Sequence, residues 1–267
     1  MDGVTDRTMR ELMGEVGGFT HMVTEFLRVS RMALPAKVIR RHMAETSTRS
    51  RTSHGIPVSL QLLGGHAGRL AETALTAVEV GVRGIDLNFG CPAPTVNRHD
   101  GGASLLRYPE RIREIVTEVR RAVPRDIPVS VKMRLGWDDP TTLLRNAAEA
   151  IEGGASSIAI HGRTKAQGYA PPALWEPIGE VRKHSPIPIV ANGDIWTFED
   201  FLRCRDETGC RHFMLGRSAL ADPHLAGRIG RHLGLASDDR PFPSDHEWRH
   251  LLTRFSELQE SPNRLKQ

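Results

Sequence analysis

The segment Asn88-Phe89-Gly90-Cys91-Pro92 sets a single thiol in a Gly- and Pro-bounded stretch directly after an apolar run. A free Cys most often serves as a small buried hydrophobe. A loop of this composition has no need of burial, so a chemical role is the better reading. A thiol of ordinary pKa, about 8.5, is mostly protonated at neutral pH, so it can donate a proton as well as act as a nucleophile. No Cys–His pair is readable from spacing, which favours the acid. Lys132 and Arg134 lie two residues apart on a run of strand length, so they share a face. There Lys132 could hold negative charge on a reduced cofactor ring, although a snorkelling surface lysine fits the same position. Asn192-Gly193-Asp194 and Gly216-Arg217 follow the last two apolar runs. Glycine amides at such places suit a phosphate, and plain turn chemistry favours the same residues. His161-Gly162-Arg163-Thr164-Lys165 gathers several cations in one loop, which suits an anion.

These residues need elements that bring them together. Apolar runs over 19–26, 57–63, 84–88, 128–133, 156–161, 187–191 and 212–215 read as strands. Amphipathic stretches over 66–80, 109–123, 141–152 and 197–207 lie between them, with Leu70, Ala74 and Val78 on one face. Thr197 followed by Glu199 and Asp200 supplies a helix cap and an acidic first turn. Strands alternating with helices predict either a doubly wound sheet or a parallel (β/α)8 TIM barrel. The barrel is favoured because polar residues end nearly every strand, whereas an open sheet gathers them at its switch point. No GxGxxG follows the first strand, which also disfavours a dinucleotide sheet.

Met1-Asp2-Gly3-Val4-Thr5-Asp6 reads as a loop that leaves a strand end and enters a helix over 6–16. The sequence is therefore expected to lack its natural first strand. Residues 1–234 are expected to form the barrel, 235–243 a Pro-flanked linker, and 244–267 the start of a truncated helical domain, with one helix over 244–260.

Composition narrows the class. With 39% hydrophobic and 25% charged residues among 267, the chain has what a full-sized globular core needs. No run approaches the roughly 18 apolar residues of a membrane helix, and no signal peptide opens the chain. Three cysteines with no CxxC pair and no metal-ligand spacing argue for a reducing cytoplasm and against a metal site. A net charge of +4, weighted towards clustered arginines, fits a polyanionic partner such as nucleic acid, or a solvated face in a protein that merely leans basic.

At these residues the chain resembles the tRNA-dihydrouridine synthases. The resemblance rests on Met1 to Asp6, Gln61-Leu62-Leu63-Gly64, Asn88-Phe89-Gly90-Cys91-Pro92 with Gly101-Gly102-Ala103, and Val131-Lys132-Met133-Arg134-Leu135-Gly136-Trp137. His161-Gly162-Arg163-Thr164, Ala191-Asn192-Gly193-Asp194 and Gly216-Arg217 complete it, in order over about the whole chain. Thr24 to Val29 and the stretch Arg134 to Asp138 look most like the bacterial C subfamily, which modifies uridine 16 of the D-loop. The resemblance implies a cytoplasmic, monomeric FMN enzyme that uses NADPH to reduce a tRNA uridine to dihydrouridine. By the same carry-over, Cys91 is the general acid towards C5. Met1, Gln61, Lys132, His161, Asn192, Gly193, Asp194, Gly216 and Arg217 hold FMN. Arg28, Asn88 and Arg134 face the uridine and its flanking RNA. Ala93-Pro94 stand where many relatives carry a Lys. Two other readings compete: an FMN barrel acting on a free pyrimidine, and a truncated tRNA-binding form without catalysis.

Overall fold

A computed structural model of the chain describes residues 4–98, 101–235 and 244–260. Seven parallel strands form one sheet in sequential order: β1 (Met22–Arg28), β2 (Val58–Leu63), β3 (Ile85–Phe89), β4 (Val129–Arg134), β5 (Ser157–His161), β6 (Ile189–Asn192) and β7 (His212–Met214). Sequential order with helical crossovers is the wall of a (β/α)8 TIM-barrel fold, because a doubly wound sheet reverses its order partway. Among the described residues, no ladder joins β7 to β1.

Helices α1 (Arg7–Val16), α2 (Ala36–His42) and α3 (Ala67–Glu79) come first, followed by the short turn α4 (Pro94–Asn97) and by α5 (Pro109–Ala122). Beyond them lie α6 (Leu143–Glu152), α7 (Glu176–His184), α8 (Phe198–Thr208), α9 (Ser218–Ala221), α10 (Leu225–His232) and α11 (Asp245–Glu260). Local chemistry explains their starts. Asp6 accepts from the Met9 amide at the head of α1, and Thr197 and Asp200 form a reciprocal capping box on α8. Pro109 at the first position of α5 costs no hydrogen bond.

The two faces of the sheet differ by the strand's period of two. Leu60, Leu62, Ile85, Leu87, Val129, Val131, Met133, Ile158 and Ile160 are fully buried in one core with Leu70, Ala74, Ile112, Val116 and Ala147 of the helices. Each such Leu or Ile contributes about 1.5–3 kcal/mol of burial. Strand register puts the alternate residues side by side: Gln61 with Asp86, Asn88 with Lys132, Arg134 with His161, and His161 with Asn192. The strands therefore carry their polar residues on a shared face that runs to their C-terminal ends.

The first strand runs over Met22–Arg28 and not over 19–26. Its span is set by pairing with β2, from Met22 opposite Val58 to Arg28 opposite Leu63, with a bulge between Val23 and Phe26. The shift carries Arg28 onto the strand's last position. At the other end, α11 rests on α1, where Arg254 Nε lies 3.2 Å from Glu15 Oε2, and Leu251 and Phe255 pack on the core.

Candidate active site

A chain of hydrogen bonds starts deep in the sheet and ends on the Cys91 loop. Ser130 Oγ donates to Asp86 Oδ1 (2.6 Å), and Gln61 Nε2 donates to Asp86 Oδ2 (2.7 Å). Asn88 Nδ2 donates to Gln61 Oε1 (2.8 Å), and Asn88 Oδ1 accepts from the amides of Gly90 (2.9 Å) and Cys91 (3.0 Å). Each amide is oriented by its neighbours, so the loop that carries the thiol is aimed from the strand below it. Asp86 is 2% exposed, and burial raises its pKa against the lowering effect of the Ser130 and Gln61 bonds. The sequence reading missed Asp86. Its signal was an acid two residues before Asn88 in an otherwise apolar strand, which puts both on one face.

The Cys91 loop is braced on both sides. Arg134 Nε donates to Gly90 O (2.9 Å), and Arg28 Nη2 donates to Thr95 O (3.0 Å). Asn97 spans the loop, donating to Ala93 O and accepting from the Ser104 amide. Gly102 adopts φ +61, where an added Cβ would stand 2.8 Å from Cys91 O, so glycine is required for this close approach. Cys91 is half-buried, whereas Cys204 and Cys210 are fully buried, and burial pushes Cys204 up to about 12. Cys91 is thus the thiol fit for chemistry.

Arg134 is only 4% exposed, and its Nη1 also donates to Thr164 O and Gly168 O, so it straps the loops after β3 and β5 together. It interacts electrostatically with Cys91, and burial lowers its own pKa. Lys132, half-buried on the same strand face, is pushed down to about 7 by burial and then by Arg134, with Asp86 opposing. It makes no side-chain hydrogen bond among the described residues.

His161 is held as a neutral imidazole. Asn192 Nδ2 donates to Met214 O (2.8 Å), which leaves Asn192 Oδ1 as the acceptor for His161 Nδ1 (2.9 Å). Nδ1 therefore carries the proton, and Nε2 accepts from Arg163 Nη1 (3.3 Å). Burial, then Lys132, lowers His161 to about 3, with Asn192 opposing and Arg134 and Arg163 adding to the effect.

Arg163, read from the sequence as one of the cations that suit an anion in the 161–165 loop, is instead turned inward. It is 1% exposed, donates to Ala170 O (2.6 Å) and pairs with Asp194 Oδ2. Burial works to raise Asp194, but the Arg163 bond and the Ala173 amide hold it below the usual carboxylate range. Asp194 (φ +52) and Gly193 (φ +116) both lie in left-handed backbone. A Cβ on Gly193 would come within 3.2 Å of Ala173 and 3.4 Å of His161. Gly216 is half-buried and Arg217 exposed; the Arg217 guanidinium lies 5.3 Å from the rings of both Tyr169 and Trp196. Met1 lies outside the described residues. Of the other predicted residues, Arg28, Arg134, His161 and Asn192 end their strands. Gln61, Asn88 and Lys132 lie just before the ends of β2, β3 and β4 on the same polar face, and the rest follow strand ends.

Among the described residues, no group of three or more His, Cys, Asp or Glu could hold a metal ion, and no helix is long and apolar enough to cross a membrane. A half-buried thiol, a half-buried lysine and a neutral imidazole stand around one mouth.

Residues 1–264 match the family profile described as Dihydrouridine synthase (Dus). The tRNA-dihydrouridine(16) synthase of Shewanella oneidensis is 46% identical over 229 residues, covering 86% of this chain and 73% of that protein. The protein of the same name from Pseudomonas syringae pv. tomato is 48% identical over 229 residues, covering 86% of this chain and 72% of its own length. The one from Neisseria meningitidis serogroup B is 41% identical over 259 residues, covering 97% and 77%. A match along nearly the whole sequence, with the polar strand ends in the expected order, leads to one assignment: the chain belongs to the dihydrouridine synthase family.

Proposed function

We propose that this protein reduces a uridine of tRNA, uridine 16 of the D-loop, to 5,6-dihydrouridine, with FMN as cofactor and NADPH as reductant. The relatives named for that position support the choice of uridine. The observation that carries the chemistry is the hydrogen-bond chain from Asp86 through Gln61 and Asn88 to the backbone of Cys91. It holds one half-buried thiol rigidly at the barrel mouth.

The residues present fit a flavin. Lys132 lacks a hydrogen-bond acceptor among the described residues and suits the electron-rich edge of the ring. Gln61 and His161 line the same face, and Gly193 keeps open a space that a side chain would fill. The backbone amides of Asn192, Gly193 and Asp194, with Gly216 and Arg217, would hold the phosphate end at the last two strand ends. The Asn192 and Asp194 side chains are taken by His161 and Arg163. A bound, reduced flavin would supply hydride chemistry towards C6 of the uracil ring. Cys91 donates the proton from Sγ to C5, which completes addition across the C5=C6 bond. The thiolate left behind would be steadied by the guanidinium of Arg134, which interacts electrostatically with Cys91. Arg28 and Asn88 serve the substrate side, and both also brace the loop that carries the acid.

Substituting the acid separates the two halves of the reaction. Cys91→Ala is expected to keep its flavin and to oxidise NADPH, while dihydrouridine formation falls by about 10²- to 10⁴-fold. Full product formation by this variant would remove Cys91 from the acid role.

A further inference from the structure

Arg107, Trp137 and Lys165 come together on the rim of the mouth, on the β3–β5 side. Lys165 Nζ lies 4.2 Å and Arg107 Cζ 4.3 Å from the centroid of the Trp137 ring. The backbone fixes this meeting. Leu135 N donates to Arg163 O (3.1 Å), Lys165 N to Gly136 O (2.9 Å) and Ala166 N to Trp137 O (2.9 Å), which laces the loop after β4 to the loop after β5. Arg107 ends the 3-10 turn Gly102–Arg107, and the Ala103 amide of that turn donates to Cys91 O. The cluster is therefore built onto the same support as the acid.

Among the described residues, no carboxylate pairs with its charge. Arg113, Arg203 and Arg254 on the helices each lie against a carboxylate. Neither Arg107 nor Lys165 has one among the described residues. The electron-rich ring face offsets part of the cost of gathering two cations, but the surplus positive charge still calls for an anion. Arg107 is exposed, and Tyr108 beside it is 40% exposed, so the anion must be reachable on an open rim, as the backbone of a polymer is. A guanidinium and an ammonium held by one ring lose little freedom when they bind phosphate oxygens.

We propose that Arg107 and Lys165, held by Trp137, bind backbone phosphates of the RNA strand that flanks the reduced uridine. This rests on the tRNA reading above and adds a contact outside the flavin and uridine residues. The rim differs from the Gly193 and Gly216 turns, which lie at the ends of β6 and β7.

The test uses the full chain loaded with FMN and titrated with unmodified tRNA over a series of salt concentrations. Arg107→Gln and Lys165→Gln are each expected to reduce the slope of log affinity against log salt by about 0.7, the value of one lost phosphate contact to single-stranded RNA. KM for tRNA should rise several-fold in each while kcat moves little, and KM for NADPH should hold. The charge-keeping pair Arg107→Lys with Lys165→Arg should retain the wild-type slope. An unchanged slope in the Gln variants, with flavin content intact, would overturn the inference. So would a raised NADPH KM with unchanged tRNA affinity, which would assign the cations to the reductant's phosphates. If the Gln variants lose their flavin, the charge-keeping pair decides, and a reduced slope there overturns the proposal. Wild-type protein that forms no complex with tRNA at any salt would overturn the tRNA reading and this contact with it.

Discussion

Lys132 is the residue whose physics is most specific to the site. A lysine pushed from its ordinary 10.5 down to about 7 by burial weakens the fold as protons are added. Between those two values the unfolded chain takes up the proton first, so stability falls as pH drops from about 10.5 towards about 7. A bound anion would reverse the shift by favouring the charged ammonium. Lys132→Met should therefore raise the melting temperature of the flavin-free protein near pH 7 and flatten its pH dependence between pH 7 and 10. The same variant should be purified with less flavin. Melts across that pH range, with the flavin-to-protein absorbance ratio, check both parts. A flavin-free variant that melts lower than the parent at neutral pH would contradict this account of Lys132. Arg163 shows the opposite case: its charge is buried but compensated by Asp194, so it serves as a structural tie between loops.

At the scale of the element, the Cys91 loop is specified from several directions, and its tolerance is correspondingly low. Gly102 is the tightest point, because a Cβ there would meet Cys91 O at 2.8 Å and Cys91 Cβ at 3.1 Å. Gly102→Ala should displace the thiol and lower kcat, with losses on the order of 10²-fold for a shift near 1 Å. Flavin content should stay at the parental level, since Gly102 does not touch Lys132 or His161. Parental kcat would show that the loop adjusts freely and that its bracing is incidental. The elements themselves were largely legible. The helices α3 and α8 carry side-chain caps, α5 opens on Pro109, all three have a continuous apolar face, and the sequence reading places them to within a few residues. By contrast, α2, α7 and α10 are short or interrupted by Gly179, Gly227 and Gly230, so local propensity says little and packing decides. The span of β1 follows from pairing with β2 and a bulge, which no local pattern encodes. Asp86, and the inward pairing of Arg163, escaped for a related reason. Buried charges are tolerated only through partners distant in sequence, such as Ser130 for Asp86 and Asp194 for Arg163.

At the scale of the whole molecule, the sheet order gathers the described candidate residues towards one end of the strands, and the alternation of strands with helices made that order legible in the sequence. The identities of the ligands stand further from the sequence. A net charge of +4 spread over surface arginines is compatible with RNA but does not select it. The geometry adds a thiol on a braced loop, a half-buried lysine with no acceptor among the described residues, and a neutral imidazole. At its far end the described chain closes on its beginning, with α11 docked on α1 through Arg254 and Glu15. The most direct measurement incubates the protein with unmodified tRNA, FMN and NADPH and maps dihydrouridine by position. Product at uridine 16, absent when NADPH is withheld, is the result predicted here. Flavin-loaded protein that oxidises NADPH yet leaves every tRNA uridine intact, while reducing free uracil or orotate, would contradict it.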